Sequence, residues 1–307
     1  MNRLPLVGFL ILLALPVLRA QDRLYFTLSD YDLNGKVHTC EVRTDYGKEI
    51  FTFDREGRLL RSETVFSDAN KIITAYEFSE GELEEKRIES INAGEVDRSQ
   101  SFRYSYRITF EEDIMKVTEN ILSYDKNFSE KHVFKYDSIG TLQAITQSHQ
   151  AGLDEIRFER RKEGDTLISE EWLNRELQKI EKEFTVQKDG KLFKHIRVEQ
   201  VFQGEPYEAR EEIYNAEGKR MIVRELVYRP EVQEYDERER RSFTYSENGV
   251  LQAEKIARGA AISEKGYVFQ YDNHLPPNWI RKIETPENSY VSRVITYYDQ
   301  DSRENKG

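Results

Sequence analysis

Five histidines, one cysteine and a scatter of acidic doublets are the residues with which this chain could do chemistry. His38, His132, His149, His195 and His274 stand far apart, and Cys40 has no second cysteine, so the close ligand pairs of a zinc site are missing. No metal site is expected. A serine hydrolase would carry a Gly-x-Ser-x-Gly elbow, and a nucleotide binder a phosphate-cradling glycine loop; neither motif occurs, so no cofactor is expected. The doublets Glu84-Glu85, Glu111-Glu112, Glu170-Glu171 and Glu211-Glu212 leave one catalytic alternative. It is a carbohydrate-active hydrolase, whose paired carboxylates would stand about 5–9 Å apart on a concave face. Adjacent residues of a strand point to opposite faces, however, so the two members of a doublet cannot act together. In so acidic a chain they read better as solvated surface.

Aromatic side chains give a second possibility, since they make up 12% of the residues. Tyr104, Tyr106, Trp172, Tyr245, Tyr271 and Trp279 could stack against sugars or an apolar segment if they line a solvent-facing surface. The competing reading packs them against cross-strand neighbours. Trp172, Tyr271 and Trp279 are the candidate ligand-stacking residues. Trp279, in Pro276-Pro277-Asn278-Trp279, stands first among them, although a cap on the last hairpin accounts for it equally well.

The elements that must position these residues are written as a repeated figure. Residues 133–145 read V-F-K-Y-D-S-I-G-T-L-Q-A-I: alternating strand, polar turn ending at Gly140, alternating strand. Relatives follow Phe51, Tyr76, Phe158, Phe184, Ile213, Phe243 and Phe269, with a glycine-free copy at residues 108–114. The turn glycines recur about every 22 to 32 residues, the spacing of a repeat array. Short polar side chains suit the turn, glycine suits a position of positive φ, and aromatic or β-branched residues suit the flanking strands. In residues 102–110 every even position is apolar or aromatic and every odd one polar, which places the two sets on opposite faces. Residues 168–184 alone carry spacings compatible with a short helix, but the neighbouring copies place strands there. Asp137 of the opening figure is replaced by Ser79, Gln187, Asn215 or Ser246 at equivalent turns. The position therefore calls for turn capping and not for an acid.

The chain opens Met1-Asn2-Arg3, with one basic residue, and goes on with an apolar run from Leu4 to Leu18 and a small residue, Ala20; these are the parts of a signal peptide over residues 1–20. The apolar run is shorter than the ~20 residues a spanning helix needs. Removing this leader takes away Arg3 and Arg19 and moves the formal charge from −11 to −13. So acidic a surface argues against nucleic acid and anionic membranes as partners. The export signal places the protein in the periplasm or at the cell surface, with no integral membrane association after cleavage. An outer-membrane barrel would need an apolar lipid-facing band, whereas these strands mix charge into both faces. The domain of repeats spans residues 21–298, followed by a polar tail at residues 299–307.

The figure Phe134-Lys135-Tyr136-Asp137-Ser138-Ile139-Gly140-Thr141-Leu142 resembles the YD repeat of Rhs-type proteins, with further copies at Phe53-Asp54 and Tyr271-Asp272. The stretch Tyr271-Asp272-Asn273 to Asn278-Trp279 is similar to the closing segment of secreted Bacteroidetes proteins of unknown function, with Pro277 where those usually carry glycine. The resemblance implies a curled antiparallel sheet and no catalytic residue. The expectation is therefore an all-β protein in which repeated antiparallel hairpins form a single twisted, curled meander sheet. It would serve as a non-catalytic binding or scaffold module of the cell envelope, for an unknown protein or glycan ligand.

Overall fold

The computed structural model describes residues 24–298; the expected signal peptide and polar tail lie outside the described residues. A 3₁₀ turn, Leu28–Tyr31, precedes twenty strands. They are β1 (Val37–Thr44), β2 (Gly47–Phe53), β3 (Leu59–Ser67), β4 (Asn70–Ser79), β5 (Glu82–Asn92), β6 (Glu95–Glu111) and β7 (Ile114–Ser123). Next come β8 (Ser129–Tyr136), β9 (Leu142–His149), β10 (Gly152–Glu163), β11 (Thr166–Leu173), β12 (Glu176–Lys188), β13 (Lys191–Phe202) and β14 (Glu205–Tyr214). The last six are β15 (Arg220–Arg229), β16 (Glu234–Tyr245), β17 (Leu251–Arg258), β18 (Ala261–Tyr271), β19 (Trp279–Thr285) and β20 (Ser289–Tyr297). Each pairs antiparallel with the next. The region with helical spacing forms β11 and β12, turned through Asn174 and Arg175 at positive φ (49° and 74°).

The expected open meander is overturned at its ends. β20 pairs antiparallel with β1, with Cys40 opposite Ile295 and Val42 opposite Arg293, so the sheet closes into a 20-stranded barrel. Closure removes the two edges that an open sheet would leave unpaired, and it needs no covalent tie. At this strand number side chains no longer fill the interior: 16–18 strands already enclose a water channel.

The hairpins alternate between two ends. At one end, called the near end here, the repeat figure folds as a capped turn. In the opening copy Asp137 Oδ1 accepts from the backbone N–H of Ile139 (3.1 Å) and Thr141 (2.8 Å), while Gly140 takes φ +77°. Asp54, Asn215, Ser246 and Asp272 accept in the same way from residues two to six positions on. A one-residue bulge precedes each of these turns, as between Lys135 and Tyr136. Asp137→Asn is expected to leave stability nearly unchanged and Asp137→Ala to cost about 1 kcal/mol, since only the latter removes the acceptor. Urea unfolding midpoints would check this, and equal losses in both variants would restore a role for the charge.

Following the register around the barrel sorts the side chains into two faces. One carries Cys40, Phe51, Tyr104, Tyr106, Val117, Glu119, Glu212 and Arg293; the other carries Glu41, Arg87, Trp172, Lys182, Arg197, Glu199 and Glu211. The first face is the lumen, because the chain's own start bridges it. Asp32 meets Trp279 on β19, and Leu24 packs on the cluster of Val117, Tyr136 and Leu142. From β19 through the seam to β7 is about 38 Å of sheet at ~4.8 Å per strand. Residues 24–32, with their 3₁₀ turn, extend only about 22 Å. They reach both sides as a chord inside the curve.

This strap, residues 24–33, seals one side of the near-end mouth. Leu28, Tyr31 and Leu33 pack with Val37, Cys40, Phe51, Phe53, Leu59 and Tyr76 into the largest core cluster. Tyr25 meets Phe78 edge-on at 4.9 Å between ring centroids. Cys40, only 1% exposed, lies in this cluster, and burial pushes its thiol up to about 11 despite nearby Arg293. A thiol reagent at pH 8 is therefore expected to label Cys40 only in denaturant; rapid labelling of native protein would contradict its burial.

Ion pairs lace both faces. On the outside Glu211 accepts from Arg224 (3.1 Å) and meets His195 (3.1 Å), and Glu199 takes Lys182 (3.1 Å) and Arg197 (3.0 Å). In the lumen Tyr106 donates to Glu119 (2.7 Å), which also meets His132 (3.0 Å). Glu211 and its neighbour Glu212 face opposite ways, as strand geometry demands.

Candidate functional site

Beside the strap the near-end mouth keeps an open cleft of about 470 Å³. Its walls come from three stretches distant in sequence. The strap and the residue just after it give Asp32 and Asn34, the β16–β17 hairpin gives Tyr245 and Leu251, and the last three strands give Phe269, Tyr271, Trp279, Lys282 and Arg293. The last near-end turn, between β18 and β19, holds these walls together. Its Asn278, 1% exposed, accepts from the backbone N–H of Asn34 (2.7 Å) and donates to Asn34 O (2.9 Å) and Tyr297 Oη (2.8 Å). Tyr297 donates to Asp272, which also accepts from the backbone N–H of Asn278 (2.9 Å) and His274 (3.2 Å). Burial raises the Asp272 carboxyl, yet these hydrogen bonds together hold it below the usual carboxylate range. His274 stacks on Tyr297 at 4.0 Å and passes so close to Gly35 that a Cβ there would come within 2.6 Å of its ring. Gly35, at φ +78°, thus lets the strap enter beneath the turn.

Trp279 is committed to this junction. The Arg293 guanidinium lies 3.4 Å from its ring centroid, its Nε1 donates to Asp32 (3.3 Å), and Phe269 meets it edge-on at 6.2 Å. Arg293 Nη2 in turn donates to Tyr31 O at 2.9 Å. Tyr271 is the freer ring, 42% exposed in the cleft with Phe269 at 6.3 Å. Tyr245 lines the opposite wall and donates to Arg220 O (2.8 Å). Trp172 stands apart from this group, on the outer face of β11, with its indole N–H buried and unpaired among the described residues. Tyr104 and Tyr106 lie deeper in the lumen, the first beneath the Lys86 ammonium at 3.9 Å. Of the candidate stacking residues, the fold therefore brings Tyr271 and Trp279 together and leaves Trp172 elsewhere.

Among the described residues the cleft wall contains a single carboxylate, Asp32, already bonded to Trp279, so they offer no acid–base pair there. Lys282, Arg293, Asp32 and Asn278 were not singled out by sequence reasoning. Lys282 follows from strand alternation once the bulge at Tyr271 is known; Arg293 and Asp32 depend on the closure of the barrel.

No protein-family profile matches the chain, and no curated protein is similar in sequence. Among solved structures, a porin-like protein from Bacteroides vulgatus is 10% identical over 87% of this chain and 100% of its own, with a TM-score of 0.25. A porin-like protein from Bacteroides uniformis is 8% identical over 85% of this chain and 98% of its own, with a TM-score of 0.27. Likeness at that level carries no inference about function, and closure rests on the β1–β20 register. The resemblance to Rhs-type YD repeats gains no support: the repeat figure marks the near-end turns of a barrel. Closure corrects a further expectation. A closed barrel is one of the two architectures able to span a bilayer, so architecture by itself no longer argues against membrane association.

Proposed function

We propose that the chain is an exported, non-catalytic barrel of the cell envelope that takes a small ligand, of glycan type, into the cleft at its near-end mouth. The observation carrying this reading is the convergence of Tyr245, Phe269, Tyr271 and Trp279 around one polar-edged cleft. Concave, aromatic-lined sites with a few polar groups are the usual form of small-molecule sites. The lone carboxylate of the cleft weighs against the hydrolase alternative.

The barrel would work with water on both faces, in the periplasm or at the cell surface. Arg43, Glu63, Arg87, Arg103, Lys131, Arg157, Lys182, Arg197, Arg224, Arg240 and Arg281 all project from the outer face. An Arg or Lys facing lipid costs about 2–4 kcal/mol at the bilayer midplane, so this many spread around the barrel weigh against insertion. Screening the purified protein against a glycan panel tests the reading. Saturable binding without turnover, weakened about tenfold or more by Tyr271→Ala, is the expected result. Turnover would bring back the enzyme, and retention in membranes after a high-salt wash would refute the aqueous placement.

A further inference from the structure

Charge in the mouth cleft runs against charge in the chain. The sequence carries a net −11, yet the cleft wall holds two cations, Lys282 and Arg293, against the single carboxylate of Asp32. The nearby carboxylates are already engaged. Asp32 accepts from Trp279, Glu284 pairs with Lys265, and Glu254 accepts from Tyr267 Oη (2.9 Å). Lys282 has no ion pair among the described residues: its ammonium rests on the Tyr267 ring, 4.7 Å from the centroid. Arg293 spends its terminal nitrogens on the strap carbonyls of Tyr31 and Asp32, and its Nε is buried without a partner among the described residues. Glu284 and Glu254 act on this ammonium only from beyond ion-pair distance and are shared with Lys265 and Tyr267, so a partly desolvated Lys282 gains from a further negative group.

Resting on the mouth-cleft reading, we infer that the ligand is anionic: a sugar ring bearing a carboxylate, held with its acid group at Lys282 and its flat face against Tyr271. One unpaired ammonium matches one negative charge per ring, which suits a uronate better than a phosphate dianion. The faces of Phe269, Tyr271 and Tyr245 suit a ring with an apolar side. Trp279 does not serve as the stacking platform, because Arg293 already covers its ring. Burial disfavours the charged form of Lys282, so its ammonium would gain from an incoming anion.

The test titrates the mature barrel with a galacturonate trimer and with the same trimer after its carboxyls are reduced to neutral galactose. Tyrosine and tryptophan fluorescence and calorimetry serve as readouts. The acidic trimer is expected to bind at least tenfold more tightly, with an affinity that falls as salt rises. Lys282→Gln is expected to abolish that preference, with both trimers binding the variant alike. Equal binding of both trimers, or an unchanged preference in Lys282→Gln, would overturn the inference. If the neutral trimer then still bound and lost affinity in Tyr271→Ala, the mouth-cleft reading would survive without the anion. Binding of neither trimer would overturn the uronate assignment, leaving the wider glycan panel to decide the cleft.

Discussion

Replacing Val294 and Ile295 together by proline is expected to open the barrel along the β1–β20 seam and send the protein into soluble aggregates. Successive residues of a strand direct their N–H groups to opposite sides, so one of these two must donate to β1, and proline removes it. The seam carries more than its own ladder. Val42, Cys40, Ile295 and Tyr297 line the lumen there, beneath the strap, and Arg293 reaches from it to Tyr31 and Asp32. Loss of about 3 kcal/mol or more is expected, together with two exposed edges ready to pair with other chains. Size-exclusion chromatography with light scattering and a melting curve would follow both effects. A monodisperse variant melting within a few degrees of the parent would mean that β1 and β20 do not close the barrel.

The second large effect is expected from Asn278→Ala. Its side chain, itself 1% exposed, satisfies the backbone N–H and C=O of Asn34 and donates to Tyr297 Oη. Removing it strips the Asn34 backbone groups of these bonds and Tyr297 Oη of one donor, at a cost of about 3 kcal/mol, or roughly 6–12 °C in melting temperature for a domain of this size. The strap should loosen at the same time, so limited proteolysis should cut between residues 24 and 36 before the barrel unfolds. Strap cleavage no faster than in the parent would show that the core cluster alone holds it. The same junction sets a pH window. Asp272 has a carboxyl held below its ordinary value, so its contribution is present above that value and fades as pH falls through the depressed one. Tyr297 is pushed up to about 12, first by burial and then by its bond to Asp272, so its contribution persists through neutral pH and is lost as pH rises through that value. Strap protection should therefore decline at both extremes, and Tyr297→Phe should weaken the alkaline limb and, by removing a bond that holds Asp272 down, move the acid limb to higher pH.

Local order was readable in the residues. The alternation of residues 102–110 put Phe102, Tyr104, Tyr106 and Ile108 on one face, and the register places them together in the lumen. The Asp137 turn and its relatives marked one end of the barrel, because a polar acceptor followed by glycine favours that turn wherever it stands. Closure was not readable. The residues of β1 and β20 look like those of any interior pair, and nothing in Cys40 or Ile295 announces its partner across the chain. The candidate site inherited that blindness. Tyr271 and Trp279 share a hairpin and could be guessed as a pair, whereas Asp32 meets Trp279 from 247 positions away. Trp172 stands on the outer face, and composition marks an aromatic as interesting without saying which side of a barrel it faces.

The seam also orders the protein's assembly in time. Nineteen of its strand pairings join neighbours in sequence and need only short loops to form, so hairpins can accumulate one after another as the chain is delivered. The twentieth joins residues 37–44 to residues 289–297 and must wait until the last strand has arrived. Until then two adhesive borders stand open, and the slow step is a single long-range contact of high contact order. Loss of β20, only nine residues long, should therefore be far more damaging to a nascent chain than its length would suggest, trapping a nearly complete protein in a form that seeks its missing border on another molecule.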